Sequence, residues 1–315
     1  MPMANRPWVL GMASFSSTEA AFEGFRLTRE HPLAVLGWIA AYFAFSLALA
    51  VLAVVWGAGQ DIAAMKALSQ SANPDPAQMV QALQTLLPYV MVVIPLQIIF
   101  FAVLNCAIYR AVLRPYERGL GYLQLGSDEA RMVVLFVVLF AIWLTLIFAV
   151  TLVTTMAAQT VAIFGGVPGA LFGFLVGAGS LGLAVWVLVI RLSMAAPMTF
   201  AERRLVVFGS WSFTRGKSWP LIGAYVVAFA LALVVIVLLV VLFSVALMIG
   251  GVTMETADGL GANAKDIGAF LTVPTVLAQL FSAVIIIVNY VLVLSPSAIA
   301  YRGLAGMETH PEVFA

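Results

Sequence analysis

One cysteine in 315 residues, Cys106, excludes an internal disulfide, a CxxC redox pair and a thiolate metal cage. Charge is nearly as scarce. Asp, Glu, Lys and Arg make up 9% of the chain, against about 25% in soluble domains. Neither a soluble globular enzyme nor a disordered chain has so little charge. The formal net charge is +1, so no broad basic surface is available for nucleic-acid phosphates. The two histidines, His31 and His310, lack His, Cys, Asp or Glu partners at metal-ligand spacing within a helix. His310, between Glu308 and Glu312, reads as part of a solvated tail. The HExxH, GxSxG and Walker signatures are missing. No catalytic residue, metal or cofactor is therefore expected.

What is abundant is hydrocarbon. Hydrophobic residues form 63% of the chain, and the mean hydropathy is +1.10. Charge-free gaps run over 32–60, 76–109, 132–190, 218–254 and 267–301. A helix needs about 20 apolar residues to cross about 30 Å of hydrocarbon. Four gaps hold one such helix each. The gap over 132–190 holds two, broken at Phe164-Gly165-Gly166-Val167-Pro168-Gly169, a turn-forming cluster. The expected fold is all-α and polytopic, one transmembrane domain over 1–315, with six spans near 33–57, 86–110, 132–157, 169–192, 220–249 and 272–299. A β-barrel would alternate apolar and polar residues; the run from Ala230 to Phe243 does not.

Lys and Arg set the orientation. Thirteen fall on one side (Arg6, Arg26, Arg29, Arg110, Arg114, Arg118, Arg131, Arg191, Arg203, Arg204, Arg215, Lys217, Arg302), and two, Lys66 and Lys265, on the other. The arginine-rich side is expected to be cytoplasmic, with both termini on it. The segment after Arg6 is too short for a signal-peptide core, so the first span is expected to serve as an uncleaved signal. The connection over 58–84 has Asp75-Pro76 as a helix start. The one over 250–271 reads as a loop.

A motif recurs along the chain. Phe22-Glu-Gly-Phe25-Arg-Leu-Thr28-Arg29 precedes span one, and Phe208-Gly-Ser-Trp211-Ser-Phe-Thr214-Arg215 precedes span five. Without a gap, Phe22 meets Phe208, Phe25 meets Trp211, and Gly37 meets Gly223. A fainter copy, Tyr122-Leu-Gln-Leu125-Gly126, precedes span three. Even spans end alike, in Tyr109-Arg110, Ile190-Arg191 and Tyr301-Arg302. The expectation is three repeats, near 15–112, 113–199 and 200–304, each an interfacial helix followed by a helical hairpin. Ser16-x-x-Glu19 has capping-box spacing for the first interfacial helix. That helix either lies at the headgroups or docks a partner.

At this motif the chain resembles a known group. Phe15-Ser-Ser-Thr-Glu19-Ala-Ala-Phe22 through Pro32, Ser210-Trp211-Ser-Phe-Thr214-Arg215-Gly216, and Leu113-Arg-Pro-Tyr-Glu117 through Arg131 are similar to segments of uncharacterised bacterial multi-pass proteins. That family is related to the membrane domain of glycerophosphoryl diester phosphodiesterases. The resemblance implies a bundle in the bacterial inner membrane. In the phosphodiesterases a soluble catalytic domain follows the membrane part. None is expected here, so that activity is not carried over.

The candidate residues are neutral or interfacial. Gln97, Asn105, Gln279 and Asn289 are polar positions in spans two and six. They serve either as interhelical hydrogen bonds or as a polar strip lining a cavity, with Pro95 freeing a backbone carbonyl nearby. Gly165, Gly169, Gly173 and Gly177 form a ridge, suited to packing within the chain, to a homodimer face or to lipid contact. Arg110, Arg191 and Arg302 either snorkel separately to headgroups or converge on one lipid headgroup with Arg203, Arg204, Arg215 and Lys217. Phe22, Phe25, Phe208 and Trp211 are interfacial anchors. Asp128-Glu129 opens a helix, where the helix dipole favours negative charge.

Two function classes are in view. The first is a non-enzymatic inner-membrane protein that organises lipid or serves as an accessory subunit of a complex. The second is a transporter or lipid-translocating protein with a neutral polar cavity between spans two and six. Expected partners are membrane lipids and a protein partner or second copy, and no nucleic acid.

Overall fold

The computed structural model describes residues 17–71, 75–117, 119–164, 166–216, 218–249 and 267–305. Among these the chain is helical, with no strand. Helix α1 covers Ser17–Glu30. It stops where Pro32 forces His31 out of the helical region (φ −128°) and opens α2, Pro32–Trp56. Gly57 ends α2 at φ +74°, and its N–H caps Ala53 and Val54. A side chain there would be strained, which is why glycine serves. Helix α3 follows at Ala58–Gln70. Asp75 then accepts a bond from Ala77 N at 2.9 Å, with Pro76 in the first turn of α4, Pro76–Leu113. The start expected at Asp75 is present.

Helix α5 spans Ser127–Phe164 and α6 spans Gly166–Val185. Of the turn expected over 164–169, residues 166–169 are helical, and Gly165 lies outside the described residues. Pro168 falls in the first turn of α6, where its missing N–H breaks no bond. A π-helical turn, Trp186–Arg191, continues α6. Short helices α7 (Ala195–Glu202) and α8 (Gly209–Phe213) lead into α9, Ser218–Ile249. Last come α10, Ile267–Phe270, and α11, Val273–Leu304. Most of the loop expected over 250–271, like Ser16, Lys217, Glu308, His310 and Glu312, lies outside the described residues.

Five helices, α2, α4, α5, α9 and α11, are long and apolar enough to cross a membrane. α4 and α5 exceed their expected bounds most, with 38 residues each, about 57 Å at 1.5 Å per residue. Long helices face outward in their middles: Met91 of α4, Phe148 of α5 and Phe229 of α9 stand 65%, 71% and 64% exposed. Such an apolar girdle suits hydrocarbon better than water. The long apolar helices indicate a multi-pass membrane protein.

The segments before the odd spans differ. The first is the 14-residue α1, the second a three-residue 3-10 turn, Leu120–Tyr122, and the third the five-residue α8. Gly121 at φ +61° breaks the second, and Gly216 at φ +78° follows the third. The core sits at the arginine-rich end. Trp38, Tyr109, Met132, Phe200, Ile287 and Ala298 pack there with almost no exposure. Trp38 Nε1 donates to Gly121 O at 2.7 Å, and Tyr109 OH meets Ser297 Oγ at 3.2 Å. The start of α2 and the ends of α4 and α11 therefore share one end of the bundle.

Candidate functional site: a lateral cavity and three span-ending arginines

Helix α9 packs along α11 and α1, while α5 packs along α6 and α4. Between the two groups opens a cavity of about 780 Å³, within the range of ligand sites. Its walls are apolar: Phe136 and Leu139 of α5, Val226, Phe229, Ala230 and Leu233 of α9, Val293 and Leu294 of α11. Val226, Phe229 and Leu233 are also exposed on the outer face, so the cavity opens sideways.

Polar groups gather at the arginine-rich end: Asn105, Tyr109, Ser193, Tyr225, Tyr290 and Ser297. Most are already committed. Ser297 donates to Leu294 O at 2.7 Å, so the proton between Tyr109 and Ser297 comes from Tyr109. Ser193 donates to Ile190 O at 2.9 Å. Asn105 donates from Nδ2 to Phe101 O at 3.3 Å and to the Tyr290 hydroxyl. A carbonyl only accepts, so the Phe101 bond fixes the amide with its nitrogen there. Asn105 Oδ1 is left buried without a donor. Such a group is rare in folded interiors.

The polar strip expected on spans two and six is only partly assembled. Asn105 lines the cavity. Gln97 faces outward beside a separate recess of about 280 Å³ on the α4–α5 surface. Gln279 and Asn289 are half-buried on α11 and line neither space. Pro95 is exposed. The tyrosines and serines that complete the cavity went unremarked in the sequence, because a hydroxyl on an apolar helix carries no spacing signal.

The three span-ending arginines occupy three different settings. Arg110 is buried, its side chain 2% exposed. It donates to Glu129 Oε1 at 2.6 Å and to Tyr122 O at 2.6 Å, and Glu117 lies 3.5 Å from its Nε. Arg114 adds Asp128 at 3.3 Å and Phe200 O at 3.1 Å, with its guanidinium 4.6 Å from the Phe200 ring. Arg131 also pairs with Asp128. Asp128 and Glu129 do open α5, but their carboxylates tie α4 to α5 beyond any capping role. Arg110 does not reach headgroups: its two terminal nitrogens donate inside the chain, and its Nε, buried without a hydrogen bond, faces Glu117.

Arg191 lies in the corner formed by Trp186 and Trp211, 4.6 and 5.2 Å from the two rings, which meet edge-on at 5.7 Å. Arg302 is half-buried, within electrostatic reach of Glu23 on α1. The arginines therefore do not merge into one cluster. Of the other expected cations, Arg203 is 3.9 Å from Glu117, Arg204 pairs with Glu202 at 2.6 Å, and Arg215 is exposed.

The aromatic anchors Phe22, Phe25, Phe208 and Trp211 are all on the surface. The other face of α1 is buried: Ala20, Ala21 and Leu27 are covered, and Gly24 lies against the α11 backbone at Leu292. On the glycine ridge, Gly169 is buried, Gly173 and Gly177 are half-buried, and Gly177 faces Thr154 of α5. Among the described residues no three His, Cys, Asp or Glu side chains gather to hold a metal. No protein-family model matches the chain, and no curated protein or solved structure is found similar to it.

Proposed function

We propose that this chain is a non-enzymatic, lipid-handling protein of the bacterial inner membrane, and that the cavity between α4, α5, α9 and α11 holds the chain of a membrane amphiphile. The carrying observation is the cavity: about 780 Å³, apolar walls, a lateral mouth and a polar end that includes the unpaired Asn105 Oδ1. Its exposed rim, Val226, Phe229 and Leu233, would face lipid tails, which are the molecules most abundant at that mouth. The lining has no carboxylate, cysteine or histidine from which to build acid–base or nucleophilic catalysis.

Six spans are part of this reading. Helix α6 with its π-helical extension is the remaining one, which puts both termini on the arginine-rich, cytoplasmic side. The three-repeat reading has support in docking. Two span-ending arginines meet the segment that opens the next hairpin, Arg110 at Tyr122 and Arg191 at Trp211, and Arg302, at the end of the last hairpin, acts on Glu23 of the segment that opens the first. Translocation is the second reading, favoured by the place of Asn105 at the polar end of the cavity.

The test is native mass spectrometry of the protein extracted gently from its membrane. A bound amphiphile is expected with the wild type and is lost from Ala230→Phe, which fills the cavity. Equal lipid retention by the variant would overturn the cavity reading. A stoichiometric protein partner without lipid would instead support the accessory-subunit role.

A further inference from the structure

We propose that Arg191, held in the corner of Trp186 and Trp211, binds a phosphate-bearing anion at the membrane surface. Charge balance singles it out. Glu129 and Glu117 neutralise Arg110, and Glu23 lies within reach of Arg302. Among the described residues, Arg191 has no carboxylate within ion-pair distance and no hydrogen-bond acceptor. Its Nε and Nη1 are buried and unpaired. A guanidinium carries five donors, and ring faces attract the cation without replacing an in-plane acceptor. Nη2 is not among the buried unpaired atoms, so it is the nitrogen open to a ligand.

Local structure agrees. The π-helical turn Trp186–Arg191 shifts register in the last turn of the span, a deviation concentrated at functional sites. It lets Trp186 and Arg191, five residues apart, stack at 4.6 Å. Trp211 stands at right angles to Trp186 on α8, which Ser210 ties down by donating to Arg191 O at 2.6 Å. The guanidinium thus rests in a corner of two indoles. Exposed Arg215 follows Trp211 by one helical turn and adds positive charge. Indoles settle at the headgroup level of a bilayer. An unpaired guanidinium at that depth, open at Nη2, suits a phosphate oxygen. A phospholipid headgroup and a free phosphate share this chemistry. The site is distinct from the cavity and does not require the cavity to be occupied.

The experiment uses the full chain, delipidated in an uncharged detergent. Native mass spectrometry follows titration with dioleoylphosphatidylglycerol, dioleoylglycerol or inorganic phosphate alone. The wild type is expected to retain one phosphatidylglycerol that dioleoylglycerol does not displace. Arg191→Gln should weaken that retention at least tenfold. Arg191→Lys, charged but without the planar fork, should fall between the two. If millimolar inorganic phosphate binds alone and displaces the lipid, the ligand is free phosphate. If it does neither, the headgroup is the source. Ala230→Phe should leave this binding unchanged; loss there assigns the lipid to the cavity and overturns the site. Equal affinity in Arg191→Gln also overturns it. Should that variant fail to fold, a lysine variant as tight as wild type, or a wild type indifferent to both phosphatidylglycerol and phosphate, does the same.

Discussion

Arg110 and Arg191 end successive even spans, each one residue after an aromatic or aliphatic partner, and in sequence they are interchangeable. In the fold they are opposites. Arg110 lies inside the best-packed end of the bundle, bonded to Glu129, Tyr122 O and Glu117. Arg191 rests in the corner of two indoles, with no carboxylate within ion-pair distance among the described residues. The difference comes from the segment after each span. Beyond Arg110 the chain supplies Glu117, Asp128 and Glu129 within twenty residues. Beyond Arg191 the first carboxylate is Glu202, which pairs with Arg204, and the residue that reaches back to the guanidinium is Trp211. A positive charge closed off from water needs a partner from the protein. One at the membrane surface can take its partner from outside.

Removing the partner of the buried charge should have the largest effect. Glu129→Ala leaves Arg110 without its closest acceptor. Breaking a buried pair in this way costs about 3–5 kcal/mol. Unfolding of the detergent-solubilised protein by denaturant or heat reads it. The double variant Arg110→Met/Glu129→Met should recover most of the loss, since no charge remains buried. A single variant within error of wild type would mean that the pair is solvated after all.

Next in size is the docking of α1, which brings Glu23 towards Arg302. A Cβ on Gly24 would lie 2.7 Å from Leu292 Cα, and backbone cannot swing aside as a side chain can. Gly24→Val should therefore detach α1 or strain it, at about 1–3 kcal/mol. Proteolysis near residue 31 should then become faster. Unchanged cleavage would mean that α1 is not held by this contact.

A smaller loss is expected at Arg191. In an uncharged detergent Arg191→Met should cost only about 0.5–1 kcal/mol, the value of a cation–aromatic contact near the surface. A loss as large as that of Glu129→Ala would remove the contrast, because it would place Arg191 in the structural core.

The helices were legible from the gaps between charges. Five expected spans correspond to α2, α4, α5, α9 and α11, though α4 and α5 overran their bounds. Overrun is natural, since a helix need not end where hydrocarbon ends, and Pro76 and Ser127 start theirs outside the apolar run. The arginine settings were not legible. Arg110 lies 19 residues from Glu129 in sequence, and only the turn at Gly121 brings them together. The cavity was half legible: Asn105 stands out as an amide in an apolar helix, whereas Tyr225 and Tyr290 look like any aromatic in a membrane span.

Arg302 lies between the two extremes, and pH separates it from both. Burial raises the Glu23 carboxyl above its ordinary value, while Arg26, bonded to it at 2.8 Å, and Arg302 pull it back down. A raised acid binds its proton more tightly in the folded chain than in the unfolded one. Its contribution to stability is therefore complete below the ordinary carboxylate value and is lost as pH climbs through the raised one. Glu23→Gln should remove that slope, so the variant gains on wild type as pH rises from about 4. Arg302→Gln removes one of the lowering influences. It should raise the Glu23 carboxyl further and extend the slope to higher pH. Melting temperatures of wild type and both variants across that range measure it. An Arg302→Gln profile parallel to wild type would mean that Arg302, like Arg191, has no protein acid acting on it, and the middle case of the comparison would disappear.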